Sequence, residues 1–334
     1  MINDIDFVVM WVDGNDPAWL KEKAQYDQEH GDKRNIRFRD WDNLHYLFRG
    51  FEVFAPWVRT IHFVTWGHLP KWLNTHHPKL NIVYHHEYLN KKDLPVFNAH
   101  ALEINLHRIE GLAEKFVYFN DDTFLVKDTE PHRFFSDELP RDMMVANALS
   151  SSDGVGHFVL NDLEILNRHF DKRAFMRTNL GKYFNPKYGK NLLRNVALLL
   201  WSRYTGFVDP HMPQPFLKST FEAVWAREHK QLARISASRF RHCDDVNQYL
   251  FRYWQLASGQ FKPVSFEDAK YMTIEMEAIR SGMVEKTITS GQYNMICLND
   301  DDRIQTAQEF AEAKKVIQQA FEKILPYKSE FEIS

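Results

Sequence analysis

The chain has 334 residues, 44% of them hydrophobic and 14% aromatic, which is enough to bury a large core and argues against intrinsic disorder. Its 42 Lys and Arg residues nearly balance 45 Asp and Glu residues, so it lacks the positive field that drives non-specific nucleic-acid binding. We therefore expect no nucleic-acid partner. Only two cysteines are present, Cys243 and Cys297, and we expect both to be free thiols in a reducing compartment.

The sequence also bears on where the protein works. Its N-terminus lacks the basic region, apolar run and small-residue cleavage site of a signal peptide. No stretch reaches the roughly 18 continuous apolar residues that a membrane-spanning helix needs. We therefore expect a protein that stays in the cytoplasm.

Strands and helices alternate through the first half of the chain. Apolar runs predict buried strands over residues 5–12, 60–66, 80–85 and 115–119. Apolar residues at three- and four-residue spacing predict helices over residues 41–55, 71–75 and 98–109, the first of them capped by Asp40. This alternation predicts an α/β fold with a mainly parallel central sheet flanked by helices.

The second half is predicted to be a helical C-terminal part. Apolar spacing predicts helices over residues 161–170, 216–228, 244–257 and 304–324, and the last of these patterns is the clearest. No internal repeat or low-complexity linker separates the two halves. We place a division near residue 140.

Two adjacent carboxylates follow the strand predicted over residues 115–119. Asn120, Asp121 and Asp122 come directly after it, and neighbouring carboxylates repel each other unless a cation or several donors neutralise them. Mg²⁺ prefers oxygen ligands and commonly takes one or two carboxylates together with phosphate. Ligands of parallel sheets bind beyond the carboxyl ends of the strands. The pair predicts a metal site, and a solvated turn is the alternative.

A second polar segment, residues 13–17, follows the first predicted strand. Asp13, Gly14 and Asp16 would converge with the carboxylate pair at the same edge of the sheet. The segment Asp-Gly-Asn-Asp-Pro is equally typical of a turn without a ligand.

One histidine and one arginine in the second half of the chain are candidate catalytic residues. His211 lies in Pro210-His211-Met212-Pro213, and the stiff backbone of such a segment suits a general base held close to an acceptor hydroxyl. Arg241 offers a permanent charge and a fork of donors for phosphate. Pairing with Asp244 or Asp245 is the alternative for Arg241, and a packing role is the alternative for His211.

Residues 168–194 carry eight positive charges and one negative charge, with aromatic and aliphatic residues between them. An anionic lipid-linked acceptor or the inner membrane surface could dock there. A solvated basic face is the alternative.

Taken together, these segments resemble the Stealth family of hexose-1-phosphate transferases, which includes bacterial capsule phosphotransferases and the catalytic core of GlcNAc-1-phosphotransferase. The resemblance lies in four ordered blocks that span most of the chain. They comprise residues 5–17; Arg37-Phe38-Arg39-Asp40 with Leu44, Tyr46, Leu47 and Arg49, continuing through 55–59, 64–65, 70–73 and 107–122; His211-Met212-Pro213 with Phe240-Arg241; and residues 297–300.

The resemblance implies a nucleotide-sugar-transferase-like fold and transfer of hexose-1-phosphate from a UDP-sugar to a polysaccharide hydroxyl, with release of UMP. The donor would be UDP-GlcNAc, UDP-GalNAc or UDP-Gal, the acceptor a lipid-linked oligosaccharide, and the cofactor Mg²⁺ or Mn²⁺. Residues 1–140 would bind the nucleotide sugar, and residues 141–334 would bind the acceptor and complete the same catalytic unit. The catalytic residues would be His211, Arg241, Asp121 and Asp122. The substrate would contact Asp13, Gly14, Asp16, Arg37, Arg49, Asn120 and Asn299, and the metal would be held by Asp121, Asp122 and Asp300.

Two other functions fit part of the pattern. A metal-dependent glycosyltransferase would place the same carboxylates at a strand end but would attack C1 of the sugar and release UDP. A carbohydrate-binding protein without catalytic activity could use the nine tryptophans for stacking on sugars. The Asp121-Asp122 pair favours an enzyme over such a lectin.

Overall fold

The computed structural model describes residues 4–26, 28–32, 39–150, 154–300 and 303–333. Its strands are β1 (Ile5–Met10), β2 (Ile61–Thr65), β3 (Leu80–Tyr84), β4 (Lys115–Phe119), β5 (Thr123–Leu125), β6 (Phe135–Ser136), β7 (Leu139–Asp142), β8 (Gln214–Leu217), β9 (Lys262–Pro263), β10 (Ala269–Thr273) and β11 (Met295–Asn299). Its α-helices are α1 (Pro17–Ala24), α2 (Leu44–Phe54), α3 (His85–Tyr88), α4 (Ala99–Glu103), α5 (Gly154–His169), α6 (Lys172–Tyr183), α7 (Leu192–Ala197), α8 (Lys218–Ser236), α9 (Gln248–Ala257), α10 (Met276–Arg280), α11 (Met283–Thr289) and α12 (Ala307–Ile324).

A five-stranded sheet with the order β3-β2-β1-β4-β8 lies at the centre of the protein. Its first four strands are parallel, and β8 runs antiparallel to β4 at one edge. Strands β1, β2 and β4 are buried almost throughout, because helices cover both faces of the sheet and only continuous apolar runs suit such strands. The predicted α/β class with a mainly parallel central sheet is confirmed.

Helix α2 covers one face of this sheet. Phe51 packs against Phe7 and Phe119, with ring centroids 5.0 and 4.8 Å apart, respectively. The helix also approaches β5 closely, and a Cβ at Gly50 would lie 2.9 Å from the Leu125 carbonyl oxygen. A glycine at this position therefore sets the distance between α2 and the segment that follows β4.

Helices α8 and α9 pack against the side chains that point the other way. Phe116 of β4 contacts Phe221 of α8 at 5.6 Å, and Phe221 stacks on Phe251 of α9 at 3.8 Å. Alternate residues of β4 thus enter two separate clusters of buried side chains, as the period of two in a strand requires.

A smaller sheet with the order β10-β11-β5 joins residues 123–125 to strands from the last quarter of the chain. Strand β11 is parallel to β10 and antiparallel to β5, which directly follows Asp121 and Asp122. Helix α12 packs on this sheet, with the ring of Phe321 4.7 Å from that of Phe124. Strands β8 and β11 both pair with strands from before residue 140, so each of these two sheets contains residues from both predicted halves. The division of the chain into two parts near residue 140 stays a prediction.

Several predicted elements are wrong or displaced. Residues 71–75 form no helix, because their backbone bonds to the C-terminal segment instead: Asn74 N donates to Phe331 O at 2.7 Å, and Ile333 N to Trp72 O at 2.7 Å. Asp40 does not cap α2, because its carboxylate accepts from Asp42 N. The N-cap residue of α2 is Asn43, without a side-chain hydrogen bond.

Other boundaries shift for identifiable reasons. Residues 216 and 217 end β8, so the helix predicted over 216–228 begins only at Lys218. The helix predicted over 244–257 begins at Gln248, where Asn247 caps it by accepting from Tyr249 N at 2.9 Å. Residues 98–109 divide into α4 and a 3₁₀ turn. No helix in the described ranges is both long enough and apolar enough to cross a membrane.

Candidate active site

The order of the central sheet creates one place where a ligand is expected. From β1 the chain proceeds to β2 and β3 on one side, and β4 then pairs with the other side of β1. Helices and loops leave the sheet in opposite directions at such a switch point, which opens a crevice at the carboxyl ends of the two strands. Residues 13–16 follow β1 there, and Asn120, Asp121 and Asp122 follow β4.

Strand β11 brings the last block of the sequence to the same edge. Its pairing with β5 places Cys297 opposite Thr123, and Leu298 N donates to Asp122 O at 2.9 Å. Asn299 lies two residues beyond this last pair, at the end of β11. The structure therefore brings Asn299 beside the carboxylate pair, although the sequence separates them by most of the C-terminal half.

Asp122, His211 and Cys297 form a tight cluster at this edge. Oδ2 of Asp122 lies 3.5 Å from Nε2 of His211 and 3.4 Å from Sγ of Cys297. One donor atom from each residue lies within 4.8 Å of the others, close enough to bind one ion. The second oxygen of Asp122, Oδ1, is buried and accepts no hydrogen bond from any described residue. A buried oxygen without a partner is typical of a cation site, so Asp122 fits the role of a ligand to a divalent metal.

His211 is held in an unusual position. Its backbone φ is +48°, a conformation that non-glycine residues adopt rarely and mostly at functional sites. Nδ1 lies 3.4 Å from the Tyr249 hydroxyl, and the Tyr271 ring meets the imidazole edge-to-face at 5.9 Å. Burial disfavours the charged imidazole, but the hydrogen bond and charge of Asp122 outweigh it, and the pKa of His211 is raised above its ordinary value.

Asp121 has a strongly shifted pKa. Burial among protein atoms, followed by repulsion from Asp122 and Asp40, raises the pKa of its carboxyl to about 7. Its side chain still reaches solvent, so an ion arriving from outside can contact it. A cation between Asp121 and Asp122 would relieve the repulsion that raises this pKa.

The segment after β1 is an ordered turn, as its composition predicted. Asp13 accepts from Asn15 N at 2.8 Å through its side chain, and Asp16 caps α1 by accepting from Trp19 N at 2.8 Å. Gly14 lies within this turn. Nε2 of His68, at the end of β2, accepts from Asp13 N at 2.7 Å, so the turn is fixed against the neighbouring strand.

The charge of Arg241 acts on a residue of β4. Its positive charge and the negative charge of Asp121 both act on the pKa of Tyr118, which burial raises well above its ordinary value. The Tyr118 hydroxyl donates to the buried carboxylate of Glu103 at 3.2 Å. The backbone of Arg241 bridges that of Asp32, which ties the residue to the segment after α1. Arg241 and Asp121 therefore both lie within electrostatic range of Tyr118.

The carboxylate of Asp300 already accepts hydrogen bonds from Arg39 and Trp41. Arg39 Nε donates to its Oδ2 at 2.7 Å and Arg39 Nη2 to its Oδ1 at 2.5 Å, and Trp41 Nε1 donates to Oδ2 at 2.9 Å. To bind a metal, Asp300 would have to share or release these donors. The geometry instead makes Asp300 the partner that orients Arg39, a residue that sequence reasoning did not select.

Arg49 is placed elsewhere. Its guanidinium is buried and donates to Glu332 at 2.7 Å, to Glu322 at 3.3 Å and to the Leu325 carbonyl at 2.9 Å. Among its described contacts, none is with the residues at the sheet edge. Arg49 thus ties α2 to the C-terminal segment. Arg37 lies outside the described residues.

The cluster contains residues that sequence reasoning did not assign to the site. Cys297 was noted only as part of the last block, and Tyr249 and Tyr271, which contact His211, were not selected. The signal for Cys297 was available: it stands two residues before Asn299, and two such positions share one face of a strand. The short apolar run over β11 was not identified as a strand, so this relationship was missed.

Comparisons with known proteins support the importance of these segments. The chain matches the family model for Stealth protein CR1, conserved region 1, over residues 3–31, and that for CR2, conserved region 2, over residues 37–142. It is 38% identical over 99% of its length to a capsular polysaccharide phosphotransferase, WcwK, from Streptococcus pneumoniae, of which it covers 98%. It is 39% identical to a receptor polysaccharide phosphotransferase, WefC, from Streptococcus gordonii, with both chains covered completely.

A third relative is an exopolysaccharide phosphotransferase, cps2G, from Lactiplantibacillus plantarum, which is 38% identical over 98% of this chain and 96% of its own. The matched regions contain the turn after β1 and the carboxylates after β4. The predicted resemblance and the prediction of an enzyme are confirmed. This chain belongs to the Stealth family and is a phosphotransferase.

Proposed function

We propose that this protein transfers hexose-1-phosphate from a UDP-sugar to a hydroxyl of a cell-surface polysaccharide precursor, with release of UMP. The observation that carries the proposal is the imidazole of His211, held 3.5 Å from Asp122 at the switch point of the sheet. A base and a carboxylate pair at one edge suit the attack of a hydroxyl on a phosphorus atom. The names of the relatives agree with this reaction class.

The reaction forms one bond and breaks one bond at the β-phosphorus. The acceptor oxygen bonds to phosphorus while the bond between this phosphorus and the oxygen bridging to UMP breaks. The acceptor proton passes to His211, and UMP leaves. The bond between C1 and its oxygen stays intact, so the sugar keeps its anomeric configuration.

Nε2 of His211 is the atom that would take this proton. It faces the carboxylates, whereas Nδ1 faces the Tyr249 hydroxyl at 3.4 Å. In the neutral imidazole the proton lies on Nδ1 and is donated to Tyr249; once Nε2 has taken the acceptor proton it donates to Oδ2 of Asp122, whose charge stabilises the imidazolium. The strained backbone and the Tyr271 ring restrict the imidazole to this orientation.

Asp121 and Asp122 are the proposed ligands of a divalent cation, Mg²⁺ or Mn²⁺. When bound, the cation neutralises charge on the pyrophosphate and on the leaving UMP. Oδ1 of Asp122 is buried without a hydrogen-bond partner among the described residues, so it is the ligand atom that a cation would stabilise. Cys297 donates its thiol hydrogen to the other oxygen, which orients the carboxylate.

The donor would lie over the carboxyl ends of β1, β2 and β4. We assign its recognition to the turn of Asp13, Gly14 and Asp16, to Asn120 and to Asn299. Arg241 would stabilise negative charge on the transferring phosphate. The donors we consider are UDP-GlcNAc, UDP-GalNAc and UDP-Gal, and the acceptor is a lipid-linked oligosaccharide at the inner face of the membrane.

A glycosyltransferase that releases UDP is the second candidate, because it would use the same carboxylates at the same edge. The two reactions differ in their phosphorus products. The test is ³¹P NMR of a reaction with Mg²⁺ or Mn²⁺, each UDP-sugar in turn and the lipid-linked acceptor. A new phosphodiester resonance together with UMP supports the proposal. UDP with a phosphorus-free glycoside would establish the second candidate instead.

A further inference from the structure

Helix α7 and the loop after it expose apolar side chains. Leu193 and Val196 of α7 are 73% and 56% exposed, and Leu200 and Trp201 of the loop are 86% and 54% exposed. With Leu199 and Leu180, these make six of the twelve large apolar side chains that are exposed in the described structure. We call the exposed apolar side chains of residues 193–201 the apolar surface; they are Leu193, Val196, Leu199, Leu200 and Trp201. Patches of this kind mark sites of interaction.

Buried polar side chains attach α7 and the loop after it to the rest of the protein. Asn195, the buried residue of α7, donates to the Met144 carbonyl at 2.9 Å and accepts from Ala146 N at 2.6 Å. Buried Lys172 donates to the carbonyls of Leu198 at 2.6 Å and Trp201 at 3.1 Å. Asn195 and Lys172 therefore face inward while Leu193, Val196, Leu200 and Trp201 face solvent, which is unusual for a helix and loop that meet only water.

The segment that contains the apolar surface is rich in positive charge. Residues 172–208 contain eight Lys and Arg residues and no Asp or Glu, although the whole chain has a net charge of −3. Within the described structure, Arg173, Arg177 and Lys190 are exposed and have no ion-pair partner. A second copy of this face would bring like charges together, whereas an anionic surface would complement them.

The sequence predicts docking of an anionic acceptor or membrane by residues 168–194, but only some of these residues are free to contact such a partner. The basic side chains of Lys182 and Lys187 donate to the carbonyls of Gly259 and Pro263, and the aromatic residues Phe175, Tyr183 and Tyr188 are buried. These residues stabilise the protein's interior. The exposed apolar side chains lie further along the chain.

We propose that the apolar surface inserts into the interface of an anionic bilayer while the cations around it contact lipid headgroups. Leucine and tryptophan side chains partition into this interface, and nearby Lys and Arg add attraction to anionic lipids. The proposal rests on the proposed function in one respect, because docking would present the active site to a lipid-linked acceptor.

The test is flotation of the full chain with vesicles of phosphatidylcholine alone, or of phosphatidylcholine and phosphatidylglycerol in equal amounts. We expect binding to the anionic vesicles only, weakened by salt. The variant Leu200→Ser/Trp201→Ser should lower the bound-to-free ratio about tenfold, because two inserting side chains are lost. A matched control is Met283→Ser/Tyr327→Ser, at side chains 54% and 85% exposed on other elements, which should bind normally.

Charge and activity give two further readouts. Arg173→Gln/Arg177→Gln/Lys190→Gln should weaken binding and flatten its salt dependence. Transfer to a water-soluble acceptor should be unchanged in Leu200→Ser/Trp201→Ser, while transfer to an acceptor embedded in vesicles should fall. Vesicle binding without any phosphodiester product would overturn the proposed function and leave the docking surface intact.

The docking proposal is overturned by any of three results: no binding to anionic vesicles, equal binding by the Leu200→Ser/Trp201→Ser variant, or a wild-type dimer that this variant dissociates in the absence of vesicle binding. The last result would make the apolar surface a contact between two copies of the chain.

Discussion

Nε2 of His211 lies 3.5 Å from Oδ2 of Asp122, and Sγ of Cys297 lies 3.4 Å from the same oxygen. Each residue comes from a different block of the sequence: Asp122 follows β4, His211 precedes β8, and Cys297 belongs to β11. One carboxylate oxygen thus links three segments at the carboxyl edge of the central sheet.

Replacing His211 with Ala should lower kcat about 100-fold or more, because a general base in this position typically contributes that much. The same change at His76, which is exposed, should leave the rate normal. Steady-state kinetics with UMP detection measures both. A His211→Ala variant with a near-normal rate would remove this residue from the role of base.

Replacing Cys297 with Ala should lower activity about tenfold and weaken Mn²⁺ binding, because it removes the thiol that orients a carboxylate assigned to the metal. The exposed thiol of Cys243 provides a matched control, and Cys243→Ala should behave as the parent protein. Calorimetric titration with Mn²⁺ gives the affinity independently of turnover. Equal Mn²⁺ affinities in the two variants would show that Cys297 does not support the metal.

Replacing Arg241 with Gln should lower kcat by about 100-fold, the usual loss when one charged group that stabilises a transition state is removed. Arg234, whose side chain is 60% exposed and pairs with exposed Asp244, is the control for a lost surface charge. Arg234→Gln should have parental kinetics. If both variants lose activity equally, the effect belongs to the general charge of the protein and not to Arg241.

Replacing Arg49 with Met should destabilise the protein by about 3 kcal/mol, because it leaves buried Glu332 without its partner. Thermal and urea unfolding measure this loss. The activity of the molecules that remain folded should be normal, which separates a structural role from the substrate contact that the sequence predicted. A normal melting temperature with a raised KM for the donor would favour the substrate contact.

Because of the Asp6 carboxylate, the free energy of unfolding should decrease as the pH falls into the acid range. Burial opposes its charge, but hydrogen bonds from Arg59 and His62 lower the pKa of Asp6 below its ordinary value of 3.8. A folded-state pKa that is lower than the unfolded one stabilises the protein above pH 3.8, and this contribution disappears as the pH falls through the folded-state pKa.

Asp6→Asn should therefore cost about 2 kcal/mol near neutral pH and have little effect at the acid end. Urea unfolding of both proteins between neutral pH and pH 3 measures the difference. A difference that stays constant over this range would contradict the assignment of the pH dependence to Asp6.

Local pattern was sufficient for the central strands and the longest helix. The strand predicted over residues 115–119 is β4 without any change of boundary, and the helix predicted over 304–324 starts three residues late because Thr306 and Glu309 cap it. These elements are predictable because their own side chains decide them. Residues 71–75 were mispredicted because their hydrogen-bond partners are residues 331–333, which no local window contains.

The sequence by itself determined the fold class, the family resemblance and the position of Asp121 and Asp122 after a strand, since each depends on residues close together in the chain. Only the tertiary structure decided that Cys297 and His211 share one oxygen of Asp122, that Arg49 is committed to Glu332, and that Leu200 and Trp201 face solvent. The physical reason is that pairing of β5 with β11, and packing of α7 through Asn195, set distances between segments that are remote in sequence. Composition and spacing contain no measure of those distances.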